Sequence, residues 1–180
     1  MPVFRLLLVL ALVAVVSAHA PPPGGGRTAV PDSTWLDWNP TTRTMKFKLV
    51  AGLTGRGAKS PFNFNGYTDG EFTLVAPMGA NVVINFVNED GTPHSAVVIA
   101  DTEPMPSMAE EAAIPRAYTT KAGEGLGYFA TDVMRFKAAP AGAYRIFCGV
   151  PGHGLSGMWI RFSVDSTVTA PQMIESPTNR

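Results

Sequence analysis

The chain has 180 residues, enough for one domain of ordinary size with appendages, and nothing in it requires two. Its 14 Lys and Arg balance 14 Asp and Glu, so the formal net charge is zero and there is neither a basic footprint for nucleic acid nor an acidic tail. One cysteine excludes an internal disulfide, and three histidines exclude any centre built from many imidazoles.

In chain order, a short positive start ending at Arg5 leads into Leu6 to Val16 without a polar residue, then Ser17-Ala18-His19-Ala20. This predicts an export signal over residues 1–18 with cleavage after Ala18. The apolar stretch is shorter than the roughly 18 residues of a spanning helix, so an uncleaved membrane anchor through residues 6–18 is the second reading. Pro21-Pro-Pro-Gly-Gly-Gly26 can form neither helix nor ladder, and residues 19–33 read as a flexible linker.

The pattern from 34 to 165 is β, and that span is the predicted folded domain. Met45–Val50 alternates apolar and polar, Glu71–Val75 is β-rich, and Asn81–Val87 follows a turn. Ser95–Ala100, Tyr128–Phe136, Ala143–Cys148 and Met158–Val164 complete the strand candidates. Many short strands separated by Gly/Pro turns predict an all-β, Greek-key β-sandwich. Glu103–Ala117 interrupts them and is expected to be an irregular or short helical excursion. Residues 166–180, rich in Thr, Pro and Ser, read as a flexible tail.

The chemistry concentrates on one loop, Cys148-Gly-Val-Pro-Gly-His153-Gly-Leu-Ser-Gly-Met158. Soft sulfur holds Cu(I), imidazole suits both copper oxidation states, and a weak Met contact adjusts the potential. The set lacks one imidazole. His19 lies in the export segment, so His94, between two predicted strands, is the candidate that completes it. Each residue alone has a packing explanation, since free Cys behaves as a small hydrophobe and Met fills irregular gaps. Together on a glycine-rich path they predict one mononuclear copper ion held by His94, Cys148, His153 and Met158. An unpaired cysteine in an exported chain is also accounted for if a metal protects it.

Four stretches resemble the small blue (type 1) copper proteins, the cupredoxins, and within them the sulfocyanins. They are Phe62-Asn-Phe-Asn-Gly66, Val83-Ile-Asn-Phe-Val-Asn88, Pro93-His-Ser95, and Phe147–His153 with Gly157-Met-Trp159. The long spacing from Cys148 to His153 is similar to that of sulfocyanin and rusticyanin. The resemblance implies a cupredoxin-like fold, with His94, Cys148 and His153 as strong equatorial ligands and Met158 as the weak axial one. Ser95 stands where many cupredoxins carry Asn and the rusticyanin type carries Ser, which points to a raised potential. Asn63 and Asn65 are candidates for tying the ligand loops together, with turn formation as the equal alternative.

Four protein ligands leave no strong position for substrate, so the expected function is single-electron transfer, not catalysis. Multicopper oxidases need more histidines, a dinuclear copper domain needs a second cysteine, and a Cys-His hydrolase needs an activating base and an oxyanion hole. His153 and Leu155 are the expected electron port, and small transient contacts suit such encounters. The resemblance implies a redox partner such as a cytochrome or terminal oxidase at the outer face of the membrane. A monomer exported to the periplasm or another extracytoplasmic space is expected. The alternative is a copper-delivery protein without redox shuttling, with Met105 and Met108 as additional Cu(I) ligands. Those two residues are otherwise packing or docking residues.

Overall fold

The computed structural model describes residues 28–29, 34–54 and 60–176. The predicted export signal, His19 and most of the predicted linker lie outside the described residues, as do residues 177–180.

Among the described residues ten strands make two facing sheets. The smaller sheet is formed by β2 (Leu36–Asn39), β3 (Thr44–Ala51), β5 (Asn81–Asn88) and β7 (Thr131–Lys137), in that spatial order. The larger runs β1 (Thr28–Ala29), β10 (Gln172–Glu175), β4 (Phe72–Pro77), β9 (Trp159–Asp165), β8 (Gly142–Phe147), β6 (Val97–Ala100). Both sheets are mixed, with β3 parallel to β5 and β4 parallel to β9, every other pairing being antiparallel.

Alternation explains why these segments are strands and which way they face. Met45, Phe47 and Leu49 of β3 and Val82, Ile84 and Phe86 of β5 point inward. They meet Leu74 of β4, Ile146 of β8, and Ile160, Phe162 and Val164 of β9. Full burial of each such side chain contributes about 1.5–3 kcal/mol.

In β8 the outward-facing Arg145 and Phe147 are buried too. Phe147 joins Val97 and Ile99 in a second, smaller apolar cluster on the outer face of the larger sheet. The predicted excursion covers it, packing Met105, Ala109 and Ala112 there. The excursion is irregular, and the described residues contain no helix. Its backbone accepts from Val98 N–H at Ala117 and donates from Ala113 to Val98, and Thr119 just beyond it donates to Ala96, so this segment satisfies the free edge of β6. Arg145 anchors its start, donating to Asp101 at 2.5 Å and Glu103 at 2.7 Å while lying 4.7 Å over the Trp159 ring.

Two expectations are corrected. Residues 166–180 are not a flexible tail throughout: Gln172–Glu175 pairs with β4, and Met173 is buried. The predicted linker is likewise interrupted, because Thr28–Ala29 pairs with β10. The physical reason is the open sheet edge: β10 satisfies the unpaired backbone groups of β4, and β1 those of β10, whatever the local composition.

Candidate metal centre

His94, Cys148 and His153 come together at one end of the sandwich, their donor atoms all within 4.8 Å of one another. His94 follows the turn after β5, and its backbone is clamped to Leu126 by paired hydrogen bonds of 3.1 and 2.7 Å. Leu126 O also accepts from Asn88 Nδ2 at 2.8 Å, which ties this bridge to the end of β5.

Cys148 directly follows β8. Its N–H donates to Met158 O at 3.0 Å, and Met158 N–H donates to His153 O at 3.1 Å. The loop therefore coils back on itself, with Gly152 and Gly157 both at positive φ. Gly154 is required for another reason: a Cβ there would stand 1.8 Å from the Phe147 ring. The excursion holds the loop from outside through Ala109 N–H to Gly149 O and Gly152 N–H to Ser107 O, each 2.7 Å. Cys148 and Met158 are fully buried, whereas His153 is half-exposed and Leu155 is 60% exposed beside it.

The three donors face one another. His94 Nδ1 lies 3.2 Å from His153 Nδ1, and Cys148 Sγ lies 4.0 and 3.6 Å from those two nitrogens. With zinc bond lengths as a yardstick for a first-row ion, a trigonal site would set nitrogen–nitrogen near about 3.5 Å and nitrogen–sulfur near about 3.7 Å. The spacing fits such an ion, and a mixed thiolate–imidazole set suits copper.

Several groups surround these donors. Ser95 N–H approaches Cys148 Sγ at 3.5 Å, while Ser95 Oγ donates to Ala122 O and accepts from Gly149 N–H. Ser95 thus connects the His94 segment, the chain at Ala122 and the Cys148 loop. Phe62 lies tilted against His153 with ring centroids 4.6 Å apart and edge-on to His94 at 6.3 Å. His94 Nε2 faces Asp90 Oδ2 at 3.1 Å. Phe62 and Asp90 escaped sequence reasoning. Asp90 carried a faint signal, four residues before a candidate ligand.

Asn63 and Asn65 are buried, but their side chains bond elsewhere. Asn63 pairs with the backbone of Leu53, Ser60 and Gly66, and Asn65 with that of Val50 and Lys48. They pin the Phe62 loop to β3 and do not touch the three donors. Met105 lies in the outer cluster beneath the excursion, and Met108 is half-exposed on it.

Burial pushes both imidazoles below their ordinary 6.5; the neighbouring His94 pushes His153 further down, while Asp90 opposes the shift in both. Burial also works to raise the Asp90 carboxyl, but hydrogen bonds from His94 and the amides of Thr92 and Gly91 outweigh it and hold the group below 3.8. Burial pushes the Cys148 thiol up, against the amides of Ser95 and Val150. Metal capture by the thiolate must therefore expel a proton.

These shifts set a pH dependence. In the metal-free protein the unfolded chain takes up imidazole protons at higher pH than the folded one. Stability is then fully present above about pH 6.5 and falls as pH drops from there through the folded-state values. Urea unfolding of metal-free protein at about pH 7.5, 6 and 5 checks this; unchanged stability across that range would contradict the burial of these rings.

The chain matches the family model described as "Sulfocyanin (SoxE) domain" over residues 31–175. A sulfocyanin of Sulfolobus acidocaldarius is 28% identical over 120 residues, covering 63% of this chain and 60% of that protein. A crystal structure of rusticyanin variants matches with a TM-score of 0.51 at 25% identity, over 68% of this chain and 78% of that one. A rusticyanin from Thiobacillus ferrooxidans is 26% identical over 68% of this chain and 82% of that one, with a TM-score of 0.48. An all-β fold of two mixed sheets, a buried donor set of copper type and a family match across most of the sequence agree, and the chain belongs to the sulfocyanin family of blue copper proteins, whose cofactor is copper.

Proposed function

We propose that the protein is a single-electron carrier in which His94, Cys148 and His153, together with Met158, would hold one copper ion. The observation that carries this reading is the convergence of two imidazoles and one thiol at hydrogen-bonding distances inside a folded sandwich. Bound copper supplies a one-electron Cu(II)/Cu(I) couple.

The chain's own contribution is constancy. His94 is fixed by its bridge to Leu126, Cys148 by its bond to Met158 and His153 by the coiled loop, so the donors need not move when the charge changes. Cys148 is sealed from solvent and His94 is sealed with it, while His153 reaches the surface. The His153 edge is thus the port, and Leu155, Pro151 and half-exposed Phe62 give it an apolar rim. A small, transient docking contact fits this rim. The partner class is a cytochrome or terminal oxidase, met outside the cytoplasmic membrane by a monomeric protein, in line with the export signal expected from residues 1–18.

Optical spectroscopy tests the reading. Copper-loaded, oxidised protein is expected to show the intense thiolate-to-copper band and to bleach reversibly on reduction. A colourless protein that surrenders copper readily to a chelator would instead support delivery. Met158→Leu should keep copper and colour but raise the reduction potential, since a donor favouring Cu(II) is lost. For one electron a tenfold change in preference is about 59 mV, and a shift of that order is expected by voltammetry. An unmoved potential would remove Met158 from the ligand set.

A further inference from the structure

We infer that Asp90 is a positioning residue for the copper site, fixing His94 in the tautomer that turns Nδ1 toward Cys148 and His153. This rests on the ligand reading above, and adds to it a carboxylate that no family motif in the sequence pointed to.

A neutral imidazole carries its proton on either nitrogen, and the partner of one nitrogen decides what the other can do. His94 is fully buried, and the carboxylate oxygen Oδ2 of Asp90 lies 3.1 Å from Nε2. That oxygen can only accept, so Nε2 carries the hydrogen and Nδ1 keeps a free lone pair. Nδ1 is the nitrogen 3.2 Å from His153 Nδ1 and 4.0 Å from Cys148 Sγ.

The surroundings are built to keep the carboxylate there. Asp90 N–H donates to Asn88 Oδ1 at 2.9 Å, and Asn88 Nδ2 holds Thr92 O at 2.8 Å, which closes the turn between Asp90 and His94. Glu89 N–H donates to Ala51 O at 2.9 Å, drawing the turn against the end of β3. The next residue, Gly52, has φ of +65°, and a Cβ there would stand 2.3 Å from the Asp90 Cβ. The backbone just after β3 thus leaves the space that Asp90 occupies. Asp90 is only partly exposed, with 22% of its side chain accessible. Among the described residues, His153 has no such carboxylate, so the two imidazoles are unequal donors. A negative charge behind His94 enriches its Nδ1 and favours the higher oxidation state of an ion held there.

The test uses the full chain with Asp90→Asn and Asp90→Ala, and Asp165→Asn at the far end of β9 as control. In copper-free protein, the nitrogen-15 shifts of His94 should report one tautomer, protonated at Nε2, and Asp90→Ala should convert this to a mixture. In copper-loaded protein, Asp90→Asn should keep the blue band and raise the reduction potential, weakening the relative hold on Cu(II) by about tenfold, within the range usual for groups behind metal ligands. Asp90→Ala should lower copper affinity by about 10- to 100-fold. Asp165→Asn should change neither.

Wild-type tautomer and potential in both Asp90 variants would overturn the inference while leaving the ligand set standing. If wild-type protein shows no blue band, the ligand reading fails, and the copper-free nitrogen shifts alone decide the role of Asp90. If Asp90→Ala does not fold, Asp90→Asn decides it through the potential.

Discussion

Cys148→Ser is expected to abolish the blue band entirely while the β-sandwich persists. The band requires electron donation from a thiolate to Cu(II). A hydroxyl in its place is a hard, protonated donor that neither absorbs in that way nor holds Cu(I). The change is small in volume at a fully buried position, so the fold is little disturbed. The new hydroxyl has a partner as well, since Ser95 N–H already points at the sulfur from 3.5 Å. That donor limits the cost of burying a polar group, which unpaired would be about 1–3 kcal/mol. Absorption spectra of copper-loaded variant and wild type, with circular dichroism as the check on folding, separate the outcomes. Full colour in the variant would show that Cys148 is not the sulfur ligand.

Phe162→Ala should be the most damaging single truncation among those considered. Phe162 lies at the middle of β9, 1% exposed, edge-on to Phe136 at 5.9 Å and tilted against Tyr144 at 6.2 Å. It therefore joins the smaller sheet to the larger. Losing its ring costs about 3–5 kcal/mol, against a total stability of about 5–15 kcal/mol for a typical domain. A fall in melting temperature of about 10 °C is expected for a chain of this size. Thermal and urea unfolding of the metal-free variant measures it, and a loss below about 1 kcal/mol would place the ring outside the load of the core.

Seven of the ten described strands, β3 to β9, were legible from alternation, β-rich composition or a short apolar run, because they bury one face or two. β2 was not, since Leu36-Asp-Trp-Asn39 buries little beyond Leu36. β1 and β10 were hidden in Pro- and Thr-rich surroundings; what makes β10 a strand is the open edge of β4, and what makes β1 one is the edge of β10, which no local pattern reports. At the site, scarcity did the work: with one Cys and three His, the meeting of His94, Cys148 and His153 could be anticipated. Phe62 and Asp90 are common residue types with many other uses, and only the fold reveals that they lie against those rings.

The path of the chain through His94 has a mechanical consequence. β5 belongs to one sheet and β6 to the other, so His94 sits on the strap that crosses between them, while Cys148 and His153 belong to the hairpin between β8 and β9. An ion held by all three acts as a clasp across the mouth of the sandwich, joining segments 54 positions apart in sequence. Any ligand that binds only the folded state adds to its stability in proportion to the logarithm of its excess over Kd. Such an ion would thereby fasten the two sheets at one end, and its loss would loosen the molecule first at that mouth.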